Sequence, residues 1–341
     1  MIPRSYAKAS GPSYYSQNRL VISGISHVIS KNTLKIHRKR VDINNTRQTW
    51  STHMNKVYEI VTERIIEAIE QEQCLPWRKS WRTLGTPRNA ATGKHYNGIN
   101  RVILSIAGES LYATYKQWAT LGAQVRRGEK GLPVVFWSVL EKEDKNGKTQ
   151  RQACVRYSTV FAASQVDNYT PIAVELSKHS PLEQCELLVA KYATGPNIHH
   201  HCGNAYYVPS QDAVYMPHLA QFDSPEAYYS TLFHELAHST GHSQRLARFQ
   251  VTDTRADLEQ YGKEELVAEL AASFLCADCH IANRTLDNST SYLQHWLKAI
   301  KSDCRLLPSA ASAAQKACDL IHNRVVRDIT CADEEKKLEA H

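Results

Sequence analysis

The stretch Phe233-His234-Glu235-Leu236-Ala237-His238 has the residue types and spacing for metal-assisted hydrolysis. Histidines four apart share one side of a helix, a turn above each other. Both imidazoles can then reach one Zn2+, with Glu235 beside them as the catalytic group that takes a proton from an activated water. A closed structural zinc site uses four protein ligands and has no use for a general base, so Glu235 argues for catalysis.

A catalytic zinc also needs a third protein ligand and an open position. Six residues past His238 stands Gln244, which cannot serve, and His242 lies beyond the helix-breaking Gly241. The downstream segment 263–279 offers Glu264, Glu265 and Glu269. Its helical spacing gives an apolar face (Leu266, Val267, Leu270, Phe274). A second stripe of Glu265, Ala268, Glu269, Ala272, Cys276 and Cys279 suits close packing. Such a helix is buried, and its carboxylates then need partners. Glu265 is assigned as the third metal ligand. Glu269 is assigned to orient a ligand histidine through its other ring nitrogen, and an exchange of the two roles stays open.

These groups must be positioned by ordinary elements. Ser224-Pro225 reads as a helix start, serine as N-cap and proline in the first turn. Gly241 reads as the stop of that helix. Short strands are expected at 205–208 and 213–216, either of which could offer an edge to an extended peptide. His199-His200-His201 reads as a loop. Upstream, helices are expected over 57–69, 99–107 and 114–121. Strands at 134–139 and 154–161 should pair as a hairpin around Asn146-Gly147. A linker near 169–181 separates a region 54–168 from a region 182–326. Residues 1–53 read as a basic, irregular extension and 327–341 as a charged tail. Met54 is a candidate start. The fold class expected is α+β, in two domains.

The charge is uneven. Residues 1–166 carry 26 Lys and Arg against 11 Asp and Glu, whereas residues 167–341 carry 15 against 23. A basic half of this size suits a polyanionic partner. Its cations alternate with aromatics, the pattern by which single-stranded DNA is held: bases stack on rings while Lys and Arg neutralise phosphates. The candidate contacts are Trp77, Arg78, Lys79, Trp81, Arg82, Lys94, Tyr96, Lys116, Arg126, Arg127 and Lys130, with Trp77 and Trp81 expected to be exposed. No GxxxxGK[ST] run occurs, which argues against an NTP-driven motor.

No apolar run is long enough to span a membrane, and the first residues lack a signal-peptide core. Nine scattered cysteines read as reduced thiols, so a cytoplasmic location is expected. Cys276-Ala277-Asp278-Cys279-His280 matches a haem-attachment pattern but sits in a buried helix, and no haem is expected.

The ordered series of motifs resembles the ArdC antirestriction family over roughly residues 54–280. It runs from Pro76-Trp77-Arg78-x-x-Trp81 through Thr92-Gly93-Lys94-x-Tyr96 and Arg126-x-Gly128-Glu129-Lys130-Gly131. It continues through Tyr206-Tyr207 and His234-Glu235-x-x-His238-x-Thr240-Gly241-His242 to Arg245-Leu246 and Glu264-Glu265-Leu266-Val267-Ala268-Glu269. The resemblance implies a single-stranded-DNA-binding domain followed by a zincin-like metallopeptidase domain with two core helices and a short antiparallel sheet. It also implies a mobile-element role in shielding DNA from restriction. Ser239 departs from the family, which often has an aromatic there, and the departure is expected to alter the substrate cleft. Three functions stay open: a DNA-binding zinc peptidase, a DNA-protecting protein whose metal domain is structural or inactive, and a zinc hydrolase of a non-peptide bond. The peptide substrate is unknown.

Overall fold

A helix α1 (Val41–Glu72) leads the described part of the chain. The computed structural model describes residues 41–72, 74–78, 85–143, 149–170, 179–249, 256–281 and 290–325. The side chains of 41–55, 78, 137–143, 149–154, 256–261 and 290–292 lie outside that description. So do residues 1–40, Lys79, Trp81, Arg82, most of the expected linker and the tail. Helix α1 begins well upstream of Val57, inside the segment expected to be irregular. Once a helix is nucleated, each added residue gains a hydrogen bond without a new nucleus, so weakly patterned sequence can extend it.

After a 3-10 turn at Pro76–Arg78 come strand β1 (Arg88–Asn89), helix α2 (Ile99–Ala107), strand β2 (Leu111–Thr114) and helix α3 (Tyr115–Thr120). Strands β3 (Gln124–Val125), β4 (Leu132–Glu143), β5 (Thr149–Ala162) and β6 (Val166–Asp167) follow. One sheet has the order β1-β2-β5-β4, and β3 pairs with β6. The β4–β5 hairpin is antiparallel throughout, from Leu132↔Val160 to Glu143↔Thr149, longer than the apolar runs suggested. Strand β2 carries too short a pattern to read alone; it exists because Tyr112–Thr114 pair with Val160–Ala162.

The second half contains α4 (Pro181–Lys191), β7 (Asn197–His201), β8 (Tyr206–Val208), β9 (Ala213–Pro217), α5 (Pro225–Ser239), α6 (Ala256–Asp278), α7 (Thr290–Ser302) and α8 (Leu306–Ile321). Its sheet has the order β7-β9-β8. The triple histidine is therefore a strand and not a loop. It pairs with β9 in parallel, so this sheet is mixed and not purely antiparallel. That strand is created by a partner distant in sequence, and histidine has little strand preference of its own.

Helix α6 runs through the core of the second half. Every residue from Leu266 to Ala277 is buried, which matches a helix apolar or small on most sides. One hydrophobic core runs from Val57, Ile65 and Trp77 through Val102 and Val160 to Phe233, Leu270 and Ile321. The residues from Gln48 onward form one compact unit.

Candidate metal centre

Helix α5 presents the histidine pair. Ser224 caps it by accepting the N–H of Ala227 at 3.2 Å, and Pro225 opens its first turn. Such a cap is worth about 1 kcal/mol. At the other end Gly241 passes close to Phe249: an added Cβ would lie 2.9 Å from the ring and 3.2 Å from the His238 carbonyl oxygen. A side chain at this position would require the Phe249 ring to give way.

The two Nε2 atoms of His234 and His238 lie 3.1 Å apart. Each faces one carboxylate oxygen of Glu265 at 3.5 Å. Donors around a tetrahedral zinc, with bonds of about 2.0–2.2 Å, are about 3.3–3.6 Å apart, so this triad fits the ion. Among the described residues it is the one group of three His, Cys, Asp or Glu whose ligand atoms lie within 4.8 Å of one another. Two imidazoles and one carboxylate leave a coordination position open.

Glu235 is 8 % exposed. Burial pushes its carboxyl above the usual carboxylate value, with His234 and His238 partly opposing the shift, and it accepts the backbone N–H of Tyr207. A carboxyl raised in this way is suited to take and return a proton. On His234, burial would lower the pKa, but the hydrogen bond to Glu265 and the charges of Glu235, Glu265 and Glu269 carry it upward.

Glu264 and Glu269 have different partners. Glu264 faces the outer nitrogen Nδ1 of His238, at 3.7 Å. Arg248 holds Glu264 with two bonds of 2.9 and 2.6 Å. The same guanidinium donates to Thr240 Oγ1 at 2.8 Å and to the Ala237 carbonyl at 2.9 Å, so one side chain ties the end of α5 to α6. Arg248 had no local signal in the sequence; only the need of a buried Glu264 for a cation could have suggested it. Glu269 instead accepts from Trp77 Nε1 at 3.1 Å, while His234 Nδ1 is buried with no hydrogen-bond partner.

Strand β8 packs against α5. Arg245 locks it in place, donating to both oxygens of Asp212, to the Ser239 carbonyl at 2.8 Å and to Tyr207 Oη at 3.3 Å. Tyr207 in turn donates to Asp212 at 2.8 Å. Among the described residues β9 is central and β7 and β8 are the two edges of this sheet, so of the two expected strands it is β8, not 213–216, that offers an edge. Ser239 is buried, bonded to the Leu236 carbonyl at 2.7 Å and to Tyr192 Oη at 3.2 Å. His200 bonds to Tyr228 Oη at 2.9 Å, and Cys276 and Cys279 are buried in or beside α6.

The aromatic candidates of the basic half are corrected. Trp77 is 1 % exposed and Tyr96 is 7 % exposed, so neither ring is open to a base. Each is apolar enough to enter the core once its polar atom has a partner, Glu269 for Trp77 and Asn89 for Tyr96. Arg126 is engaged within the chain, with Glu129 at 3.0 Å and with the Ser164 carbonyl. Lys94, Lys116, Arg127 and Lys130 are exposed, as is Tyr115 at 56 %.

Residues 55–165 match the N-terminal domain of the anti-restriction factor ArdC, and residues 183–313 match a zincin-like metallopeptidase family, MPTase-PolyVal. Uncharacterized protein y4eC of Sinorhizobium fredii is 36 % identical over 285 residues, covering 78 % of this chain and 91 % of y4eC. The DNA primase TraC of Escherichia coli is 35 % identical over 289 residues, 77 % of this chain but only 27 % of TraC. The metal-free crystal structure of the antirestriction protein ArdC from plasmid R388 superimposes with a TM-score of 0.65 at 36 % identity, covering 78 % of this chain and 96 % of that one. Its Mn(II)-bound crystal structure gives 0.63 at the same identity, covering 97 % of that chain.

Proposed function

We propose, from the premise that this chain belongs to the ArdC antirestriction family, that it joins a single-stranded-DNA-binding region to a zinc-dependent peptidase site. The observation that carries the peptidase reading is the convergence of His234 Nε2, His238 Nε2 and the Glu265 carboxylate beside a buried Glu235. Those three residues would hold the cation, with Zn2+ favoured by the donor set. Once bound, the ion supplies Lewis acidity to a carbonyl and lowers the pKa of water.

The protein's own groups do the rest. The backbone N–H of Tyr207 holds the Glu235 carboxylate in place. From there Glu235 accepts a proton from the attacking water and later delivers it to the leaving amine. The free edge of β8 pairs with an extended peptide through main-chain hydrogen bonds, which favours unfolded or flexible substrate segments. Arg248 and Glu264 keep His238 in one orientation from behind.

On the basic region, Tyr115, Lys116, Lys94, Arg127 and Lys130 are the accessible groups for a single strand, the ring for stacking and the cations for phosphates. Placed in a plasmid-borne setting like that of the R388 relative, the protein would shield entering DNA from restriction.

Glu235→Gln tests the reading. Cleavage of an unfolded protein should fall by at least about 100-fold, with bound zinc and affinity for an oligonucleotide unchanged. Wild-type cleavage by this variant would sink the peptidase reading. Antirestriction measured on the same variant separates protection that needs cleavage from protection by DNA binding alone.

A further inference from the structure

The triple histidine divides between the two faces of its sheet, because successive strand residues alternate sides. His200 turns to α5 and bonds Tyr228, whereas His199 and His201 share the opposite face. On that face the register sets His199 opposite Tyr215, and Tyr215 opposite Tyr206. Their rings form a row across the three strands. His199 and Tyr215 stack at 5.2 Å with planes 28° apart, and Tyr215 and Tyr206 at 5.1 Å and 20°. His201 meets Tyr206 and Tyr215 edge-on, at 5.6 and 6.0 Å. Its Nε2 bonds the Asn204 carbonyl at 2.9 Å, and Tyr215 Oη donates to Gln211 at 2.7 Å, so polar bonds anchor the row. The row ends on Tyr206, 43 % exposed on β8, which among the described residues is an edge of the sheet.

We propose that Tyr206 determines substrate specificity: a peptide added to the β8 edge sets an aromatic side chain against its ring, as the next member of the row. This inference rests on the peptide-binding reading above and names the side-chain chemistry which that reading leaves open. Side chains of an added strand alternate, one set towards α5 and the other on the face of Tyr206. The Tyr207 N–H faces Glu235 and so points away from β9. Its neighbour Tyr206 therefore turns its own backbone groups to β9. It meets an added antiparallel strand as a non-hydrogen-bonded pair, the kind whose side chains approach more closely. Cross-strand aromatic pairs are favourable beyond the area they bury. The other residues of this face, Asn197, Val208, Ala213 and Pro217, carry no charge, so a flat apolar side chain is favoured over a charged one.

The test uses the zinc-loaded full chain and a set of otherwise identical unstructured peptides. In each, one phenylalanine replaces alanine at a different position around the scissile bond. One position should gain about 2- to 12-fold in kcat/KM from the ring. That gain should vanish in Tyr206→Ala and persist in Tyr206→Phe. The two adjacent positions, whose side chains face α5, should respond alike in wild type and Tyr206→Ala. Tyr206 is exposed, so both variants keep the core intact. The same phenylalanine preference at every position in Tyr206→Ala and wild type would overturn the inference. So would a gain lost in His199→Ala but kept in Tyr206→Ala, which would put the peptide on β7. Anisotropy of the same peptides, carrying a fluorophore, on zinc-loaded Glu235→Gln protein separates the two readings. Where wild type cleaves none of them, a Tyr206-dependent preference in binding fails the peptidase reading and upholds this one. Equal binding of the phenylalanine and alanine peptides, or none, then overturns this one as well.

Discussion

Arg101 and Asp278 form an ion pair of 2.7 Å that joins the two family-matched regions. The Arg101 guanidinium also donates to the Phe274 carbonyl at 2.6 Å and lies 4.5 Å from the centre of the Phe274 ring. Thr86 Oγ1 donates to the same Asp278 oxygen at 2.6 Å, and His322 bonds the other at 2.9 Å. Burial alone would raise the Asp278 carboxyl. The Arg101 charge and the bonds from His322 and Thr86 outweigh it and hold the group well below the usual carboxylate range.

Asp278→Asn should therefore destabilise the fold at pH 7 by about 3–5 kcal/mol, because it leaves a buried guanidinium without its counter-charge. The folded carboxyl titrates below its unfolded value of about 3.9, so its contribution is complete above that pH and is lost as the pH falls through the folded value. The gap between wild type and variant should thus be full at pH 7 and narrower at pH 3. Urea unfolding at the two pH values measures it, and an equal gap at both would contradict the assignment.

Arg248→Ala removes the clamp on Glu264 and the bonds to the end of α5. Zinc affinity should drop by about 10- to 100-fold, since groups behind a ligand histidine are worth that much. Glu264→Gln should produce a smaller loss in the same direction. Indicator competition reads both, and unchanged affinity in Arg248→Ala would remove Glu264 from the account of the site.

Replacing Lys116, Arg127 and Lys130 together by alanine should weaken oligonucleotide binding evenly across sequences. The dependence on salt should also flatten, because each lost phosphate contact removes about 0.7 from the logarithmic slope for a single strand. Tyr115→Ala should weaken binding by about 1–3 kcal/mol with little change in that slope. Fluorescence anisotropy at several salt concentrations distinguishes the two effects.

A fragment of residues 179–341 should not melt cooperatively by itself. Trp77, Val102, Ile103 and Leu104 belong to the same core as Leu270 and Ile321, so the cut exposes a face of the central helix. A sharp thermal transition of the isolated fragment, seen by circular dichroism, would refute the shared core.

Much of the site was legible because its chemistry is local. A four-residue interval on one helix puts two imidazoles side by side whatever lies around them, and Ser224, Pro225 and Gly241 bound that helix through backbone rules alone. The burial of the later helix followed from its lack of a polar side, which nominated its glutamates. Other parts depend on partners far away in the chain. Strand β7 exists because Asn197–His201 pair with Ala213–Pro217. Trp77 has the neighbours of a surface residue, yet a carboxylate 192 positions away draws its indole inward.

The sequence by itself placed His234 and His238 on one helical face beside Glu235, set out a basic first half and carried the motifs of the family. Only the tertiary structure decided that Glu265 faces both imidazoles, that Glu264 faces the outer nitrogen of one of them, and that a tryptophan from the first region donates to the buried Glu269. The physical reason is range. Helical periodicity is set by bonds four residues long, whereas a buried charge is satisfied by whichever group the packed chain brings near.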